Sequence, residues 1–524
     1  MNIGILLSSL LSALLYILAS PSADLEPLGW IALAPLIYAA DKSIRPRDAF
    51  KAGMAGGLLA YSGLCYWFIG TMMSFGGMSF PVSLFFFLFL AIYMALYWGL
   101  FAYLLKGASL QGVSLLIAAP SLWVALEYLR TYLFTGHPWA LLGYTQYKNI
   151  SIIQLSDLTG VYGISFILAL FSASAYEFIR RYRSEGSFPL KEGALLLAAL
   201  LVPLSYGSVK IAGYKEPERV LRAALIQGNI EQGVKWNEDH KEKTVDIYRT
   251  LSERAHKEAG GLDIIVWPET AVPFYYQQRG SLASRVSRIS RDLDAPILFG
   301  SPAYKFENRK ASYLNSAFLI APAAGKSGVE TIGRYDKYHL VPFGEYVPLA
   351  KYLFFINKIT AGIGDFAPGR GAMTLDMDGS RSKGPGVSYG PLICYEGIFP
   401  DLVRRFVKKG ANVLVNITND AWYGRSSAPY QHLSAIAFRS VENGIYTLRA
   451  ANTGVTAIID PLGRIEGETA IFEEGFLTGR IGLADRGTFY TTYGDLFAIA
   501  MSIISFLLIF YPPLSARLNR KRDR

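Results

Sequence analysis

The sequence predicts a polytopic α-helical membrane domain of about eight transmembrane helices, joined to an extracytoplasmic α/β domain. Three observations carry this reading. Hydrophobic residues make up 52% of the 524, and they concentrate before residue 213 and after residue 488, leaving a central stretch of ordinary globular composition. Lys and Arg collect in alternate connections between the apolar segments. Within the central stretch, short apolar strands alternate with helical patterns.

The apolar segments fall near residues 3–19, 26–40, 52–73, 82–105, 112–134, 158–179 and 193–212, with one more at 489–511. Several approach the roughly 20 residues that cross a bilayer. The first lacks a basic start and is followed by further spans, so it is expected to be a retained anchor rather than a cleaved signal. Lys42, Arg45, Arg47 and Lys51 follow the second span, Lys106 the fourth, and Arg180, Arg181, Arg183 and Lys191 the sixth; Arg517, Arg520, Lys521, Arg522 and Arg524 close the chain. Ser20–Glu26 and Thr71–Pro81 carry no Lys or Arg, and Thr135–Asp157 only Lys148. Basic loops stay in the cytoplasm, so both termini are expected inside and the large polar domain outside. The expected divisions are 1–213, a membrane domain of seven helices; 219–485, the α/β domain; 489–511, a last helix; and 512–524, a basic tail.

The net charge of +10 follows these loops rather than a groove, which excludes nucleic acid as the partner. Of the two cysteines, Cys65 lies in an apolar segment and Cys394 in the polar domain, so no disulfide framework is expected. Cys65 reads as packing. Glu127 and Arg130 stand three apart on the fifth span, the spacing that lets side chains pair across a turn.

In the polar domain, Arg222–Ile226 reads as an opening strand and Asp239–Glu258 as a polar helix. Leu262–Val266 is an apolar strand that runs through Trp267 and Pro268 to Glu269. Ala283–Asp292 reads as a helix, Pro296–Gly300 and Ser312–Ile320 as strands, the latter containing Asn315. Ala411–Ile417 is another strand, opening into Thr418, Asn419 and Asp420. Gln431–Asn443 has helical character, and Thr447–Arg449 and Thr456–Asp460 read as closing strands. Polar residues repeatedly stand where strands end, which is where open α/β sheets build sites.

The strand Val387–Ile393 ends at Cys394 and turns through Gly397 into a helical pattern from Leu402. That is the layout of a nucleophile elbow, and helix N–H groups near a thiol favour the thiolate. Two partner arrangements remain open on residue chemistry alone. In one, Glu269 takes the thiol proton while Lys337 and the Tyr395 N–H face a developing oxyanion. In the other, His339 or His432 is the base.

Trp267-Pro268-Glu269-Thr270, the run Lys337–Tyr346, Ile393-Cys394-Tyr395-Glu396 and Asn419–Gly424 resemble, in order, the motifs of the nitrilase superfamily. Together with the spans and Gly136-His137-Pro138-Trp139, they are similar to its membrane branch, the apolipoprotein N-acyltransferases. The resemblance implies an αββα sandwich and a Glu269–Lys337–Cys394 triad, supported by Glu345 and flanked by Tyr395 and Glu396. It further implies that Trp236 and Trp422 line or gate the substrate entrance. The implied reaction moves a fatty acyl chain from a phospholipid, through a Cys394 thioester, to the α-amino group of a diacylglyceryl-modified cysteine on an apolipoprotein. The implied place is the bacterial inner membrane with the α/β domain on the periplasmic side, the protein acting as a monomer.

Leu349–Ile356, including Phe354 and Phe355, and Pro273–Tyr276 are apolar loops near these residues and are expected to form a lipid-facing lid. Neither zinc-type ligand spacing nor a phosphate-cradling glycine loop occurs, so no metal or cofactor is implied. Two other classes compete: a membrane-tethered nitrilase-type amidase or hydrolase, and a transporter or receptor, which would require charges deep in the bundle.

Overall fold

The structure, a computed structural model, describes residues 2–307, 310–323, 328–347, 366–379, 386–484 and 487–522. The chain divides into two units, one of Met1–Ile69, Phe80–Tyr214 and Tyr493–Arg524, the other of Gly70–Ser79 and Lys215–Thr492.

The first unit is helical. Phe80–Leu110, Val161–Glu185 and Leu190–Gly213 are each long and apolar enough to cross a membrane. Pro46–Cys65 and Trp67–Ser74 pass the same test only together and are bent by 52° at their junction. Ile3–Ala19 and Leu496–Phe510 are shorter apolar helices, and Leu115–Tyr132 carries Pro120 within it. The segment expected as the second span is not one helix. It is a five-residue 3-10 turn, Glu26–Trp30, and a nine-residue helix, Ala34–Lys42. Pro27, Gly29 and Pro35 interrupt it, and nine residues rise only about 14 Å, half of a hydrocarbon core.

Glu127 and Arg130, both buried, do not pair with each other. Glu127 Oε1 accepts from Trp123 Nε1 at 3.0 Å and from the Leu142 amide at 2.7 Å. Arg130 donates to the Tyr61 hydroxyl and lies over its ring. Each found a partner on another segment, which spares the helix an i,i+3 bridge. Cys65 is buried at the end of its helix, in line with packing.

The second unit is built on two six-stranded sheets. The first has the order β12-β1-β2-β3-β4-β5, where β1 is Val220–Gln227, β2 Ile264–Val266, β3 Ile297–Glu307, β4 Lys310–Pro322, β5 Val329–Asp336 and β12 Gly475–Gly482. The second has the order β11-β10-β9-β8-β7-β6, where β6 is Leu375–Met377, β7 Val387–Ile393, β8 Val413–Thr418, β9 Thr447–Ala451, β10 Ala457–Ile459 and β11 Ile465–Glu468. In each sheet the three central strands run parallel (β1, β2, β3 and β7, β8, β9) and their outer neighbours antiparallel.

Parallel neighbours need crossovers, and the helices supply them. Glu238–Ala259 and Ser281–Asp292 connect β1 to β2 and β2 to β3; Pro400–Lys408 and Ala428–Asn443 connect β7 to β8 and β8 to β9. Helices lie on one side of each sheet while the other sides meet, β4 against β7 and β5 against β6. The result is an αββα sandwich.

Beneath the first helical layer, Val245, Tyr248, Leu251 and Val286 pack on Trp267, Phe299 and Phe318. Burial of each such side chain contributes about 1.5–3 kcal/mol. The Trp267 indole N–H, buried with them, is satisfied by Ser252 Oγ at 3.0 Å. Because β1–β3 and β7–β9 are parallel, their C-terminal ends fall on shared edges, and the polar residues that follow β2, β7 and β8 collect there.

Candidate active site

Cys394 stands immediately after β7, at φ +52°, a left-handed conformation that costs a non-glycine residue about 1–3 kcal/mol. A 3-10 turn, Cys394–Ile398, follows and hands the chain to the helix Pro400–Lys408. The strand, the strained thiol and the turn form the elbow that the sequence suggests.

Glu396 holds this elbow against the Lys337 segment. Its Oε2 accepts from the Ile393 amide at 2.8 Å. Its Oε1 accepts from the Tyr335 hydroxyl at 2.6 Å, the Tyr338 amide at 2.8 Å and the His339 amide at 3.1 Å. Glu396 is fully buried, so it acts as a clamp rather than as a group facing solvent.

Glu269 is delivered by the turn after β2, with Thr270 at φ +48°. The turn lies directly on β3: a Cβ on Gly300 would sit 2.4 Å from the Thr270 nitrogen and 2.7 Å from Glu269 Cα. Only glycine allows that approach. The carboxylate meets donors on both oxygens, Asn315 Nδ2 at 2.8 Å on Oε1 and the Asn419 amide at 3.0 Å on Oε2. Lys337 Nζ lies 3.7 Å from Glu269 Oε1 and 2.9 Å from Glu345 Oε2, with the lysine side chain 1% exposed. Asn315 joins the two acids, since its Nδ2 also donates to Glu345 Oε1 at 2.9 Å. Its carbonyl accepts the Lys337 amide at 2.8 Å, and the Val341 amide donates to Glu345 Oε2 at 2.9 Å.

Burial raises the Glu269 carboxyl above the usual carboxylate range; Lys337 opposes this and Glu345 reinforces it. Burial by itself would lower Lys337, but Glu345, Glu269 and Cys394 outweigh it and hold the ammonium charged. Burial, and then the Glu269 charge, push the Cys394 thiol upward, with Lys337 and the Thr418 hydroxyl pulling the other way. The sequence led us to expect a helix end that favours the thiolate. Instead the helix starts only at Pro400, the 3-10 turn intervenes, and burial prevails, so the resting thiol keeps its proton. A protonated thiol beside a buried carboxylate and a fixed ammonium is equipped for attack on a carbonyl carbon, with a base for the proton and a cation for the oxyanion.

Neither His339 nor His432 is among the charges that act on the thiol, although the His432 ring bonds to the Cys394 backbone. The His339 ring packs on Phe399, 4.0 Å between centroids, and beside Tyr395 at 5.9 Å. His432 is buried, its Nδ1 3.2 Å from Asp420 Oδ1 and 3.2 Å from Arg449 Nη2. Burial and Arg449 lower its pKa, so it is neutral. The charges acting on the thiol come from Glu269, Lys337 and Asp420, which favours the Glu–Lys arrangement.

Trp422 follows Asp420 in a 3-10 turn. Its ring meets Phe75 edge-on at 4.9 Å and its carbonyl accepts from Thr71 Oγ1 at 2.7 Å, both from the 70–79 segment of the same unit. Trp236 is half-buried in the turn that precedes the helix Glu238–Ala259. Phe354 and Phe355, with the rest of Leu349–Ile356, lie outside the described residues. The other expected lid stretch, Pro273–Tyr276, is pinned. Tyr276 is buried against Phe299 and Phe318, Tyr275 stacks near Tyr304 and Tyr313, and Ser301 Oγ donates to the Phe274 carbonyl at 2.7 Å. Its aromatic side chains serve the core of the first sheet.

Sequence reasoning assigned no role to several residues of this site. Asn315 is the bridge between Glu269 and Glu345. Lys235, fully buried, donates to Thr270 Oγ1 at 2.8 Å and to the Glu269 carbonyl at 3.3 Å. Burial brings its pKa down to about 8, with Glu269 opposing. The Tyr423 hydroxyl is raised by burial and by the nearby Cys394, Asp420 and Glu269. A polar residue inside an apolar strand or loop was the signal each of them offered. Among the described residues no group of three or more His, Cys, Asp or Glu side chains is arranged to hold a metal ion.

Residues 222–490 match the family described as Carbon-nitrogen hydrolase, the class to which the two-sheet domain belongs. Residues 12–174 match the Apolipoprotein N-acyltransferase N-terminal domain. The apolipoprotein N-acyltransferase of Geobacter metallireducens is 47% identical over 94% of this chain and 92% of its own length. That of Haemophilus influenzae is 31% identical over 96% of this chain and 94% of its own. Among solved structures, Nit3 of Saccharomyces cerevisiae, a member of branch 10 of the nitrilase superfamily, is similar at 18% identity and a TM-score of 0.38, covering 51% of this chain and 92% of Nit3. The chain belongs to the apolipoprotein N-acyltransferase family, and it is an acyltransferase with apolar membrane helices.

Proposed function

We propose that the protein transfers a fatty acyl chain from a membrane phospholipid to the α-amino group of the S-diacylglyceryl-cysteine at the N-terminus of apolipoproteins, through a thioester on Cys394. The observation that carries this reading is the buried pair of Glu269 and Lys337 whose charges act on the Cys394 thiol, with Glu345 holding Lys337 in place.

In the first half-reaction Glu269 takes the thiol proton and the sulfur attacks the ester carbonyl carbon. The oxygen of the tetrahedral intermediate gains negative charge and faces Lys337 Nζ and the Tyr395 N–H. Collapse breaks the ester bond, and Glu269 returns the proton to the departing lysophospholipid hydroxyl. In the second half-reaction the free amine attacks the thioester, Glu269 takes a proton from the nitrogen, and collapse releases the amide and the Cys394 thiol. Glu345 holds Lys337 while Glu269 changes charge, so the cation stays in place through both steps.

Lipid substrates favour a domain at the bilayer surface. The distribution of Lys and Arg supports about eight spans, both termini in the cytoplasm and the α/β domain on the periplasmic side of the inner membrane, the protein acting as a monomer. Trp236 and Trp422 line the entrance in this reading. Nothing in the chemistry calls for a metal or cofactor.

The test supplies the purified protein with a phospholipid bearing a tagged acyl chain and a synthetic diacylated lipopeptide with a free N-terminal amine. Tag on the peptide as a hydroxylamine-stable amide is the expected result, with none on the N-acetylated peptide. Tag released only as free fatty acid, in the presence of the amine peptide, would make the protein a membrane-tethered hydrolase instead.

A further inference from the structure

Asn416 sits on β8 between Leu392 of β7 and Arg449 of β9, paired in register with both. Parallel strands in register place these side chains on one face. Arg449 Nη1 donates to Asn416 Oδ1, which fixes the amide the other way round, Nδ2 toward the elbow. From there Nδ2 donates to the Leu392 carbonyl at 3.3 Å and to the Cys394 carbonyl at 3.4 Å. Arg449 is itself immobilised, with Nη2 on Asp420 Oδ2 at 2.7 Å and Nε on the Val455 carbonyl at 3.1 Å, and Asn416, Asp420 and Arg449 are all fully buried. The elbow presses onto this arrangement: a Cβ on Gly397 would come within 3.3 Å of Asn416 Nδ2 and 2.3 Å of Ile436 Cδ1.

In a trans peptide the C=O and the N–H of the next residue point in opposite directions. A Cys394 carbonyl held toward Asn416 therefore turns the Tyr395 N–H away from it. The His432 ring also bonds to the Cys394 backbone, so Asn416 acts together with it on this peptide. We propose that Asn416, fixed by Arg449, is a positioning residue for acyl transfer: by holding the Cys394 carbonyl it aims the Tyr395 N–H at the oxygen of the tetrahedral intermediate. Asn416 touches no substrate; it works through the backbone of the nucleophile.

This inference rests on the thioester reading above. Its test compares two reactions of the same sulfur in the full-length protein: single-turnover acylation by the tagged phospholipid, which forms an oxyanion, and alkylation by iodoacetamide, which forms none. The variant is Asn416→Leu, close in volume and without donors, with thermal unfolding followed alongside. Acylation is expected to fall about tenfold to a hundredfold, on the scale of a compromised oxyanion donor, while alkylation holds near the wild-type rate. Should Asn416→Leu not give folded protein, Asn416→Ala takes its place. Acylation at the wild-type rate would overturn the proposal, and so would a parallel loss of both reactions in folded protein, which would assign Asn416 to placing the thiol. A wild-type protein that is never acylated would instead remove the thioester reading itself.

Discussion

Glu269→Gln is expected to drive two reactivities of Cys394 in opposite directions. The carboxylate faces donors on every side: Asn315 Nδ2 at 2.8 Å, the Asn419 amide at 3.0 Å and Lys337 Nζ at 3.7 Å. A glutamine amide has one oxygen, so its NH2 meets a donor in either orientation, at a cost of about 1–3 kcal/mol. The attraction to Lys337 also goes; two unit charges at 3.7 Å attract by roughly 4 kcal/mol at an effective dielectric near 20. Lys337 stays charged on Glu345. Losing the general base slows acylation about 10²–10⁴-fold. The same change removes the negative charge that, after burial, holds the thiol protonated, so the thiol ionises at lower pH. Iodoacetamide alkylation followed against pH reads this directly, and its midpoint moves down in Glu269→Gln while tagged-phospholipid acylation collapses. An alkylation profile that stays in place or moves up, or acylation that survives, would refute the reasoning.

Other outcomes follow from the same geometry. Acylation by the wild-type protein falls as pH drops through the Glu269 pKa, because only the carboxylate accepts the thiol proton. Since burial raises that pKa, the acid limb of a single-turnover pH profile lies above the ordinary carboxylate range. Lys337, held charged, adds no loss on the alkaline side of neutrality. Glu396→Ala leaves the Ile393, Tyr338 and His339 amides and the Tyr335 hydroxyl without their acceptor, a destabilisation of roughly 3 kcal/mol and a drop in Tm of about 5–10 °C, with acylation lost; an unchanged melting curve counts against the clamp. Gly300→Ala drives a methyl into the Glu269–Thr270 backbone and costs about 1–3 kcal/mol. Acylation should suffer more than stability, since the displaced group is the base itself, and equal retention of both would argue against the close approach.

How far this site could be read from sequence depended on whether local pattern or distant pairing made each part. The Cys394 elbow was legible because an apolar strand, a thiol, a short turn and a helix follow one another along the chain. Glu269 was legible for the same reason, standing at the end of an apolar run. Lys337 was not: it follows β5, whose Thr331, Gly333 and Arg334 give no strand alternation, and the surrounding motif alone marked it. Asn315 and Asn416 sit in apolar strands and show their purpose only when sheet register brings Glu269, Glu345 and Arg449 beside them. The closing strand β12 returns to pair with β1, antiparallel from Val220↔Gly482 to Gln227↔Gly475; its three glycines hid it. In the membrane part, hydropathy suggested one continuous helix at 26–40, where Pro27 and Pro35 instead divide the segment into a 3-10 turn and a short helix. The lid reading of Pro273–Tyr276 took aromatic character for exposure, although the rings of Tyr275 and Tyr276 are spent on packing.

The central claim is that Cys394 carries the acyl group, and trapping the acyl-enzyme tests it most directly. The protein is incubated with a phospholipid bearing a tagged acyl chain, without acceptor, and the adduct is located by peptide mass and by release with hydroxylamine. Label on the Cys394 peptide, lost in Cys394→Ala, kept in Cys65→Ala and discharged by the diacylated lipopeptide, is the predicted result. A protein that consumes the phospholipid with no label on Cys394, or that keeps its label in Cys394→Ala, would contradict the account.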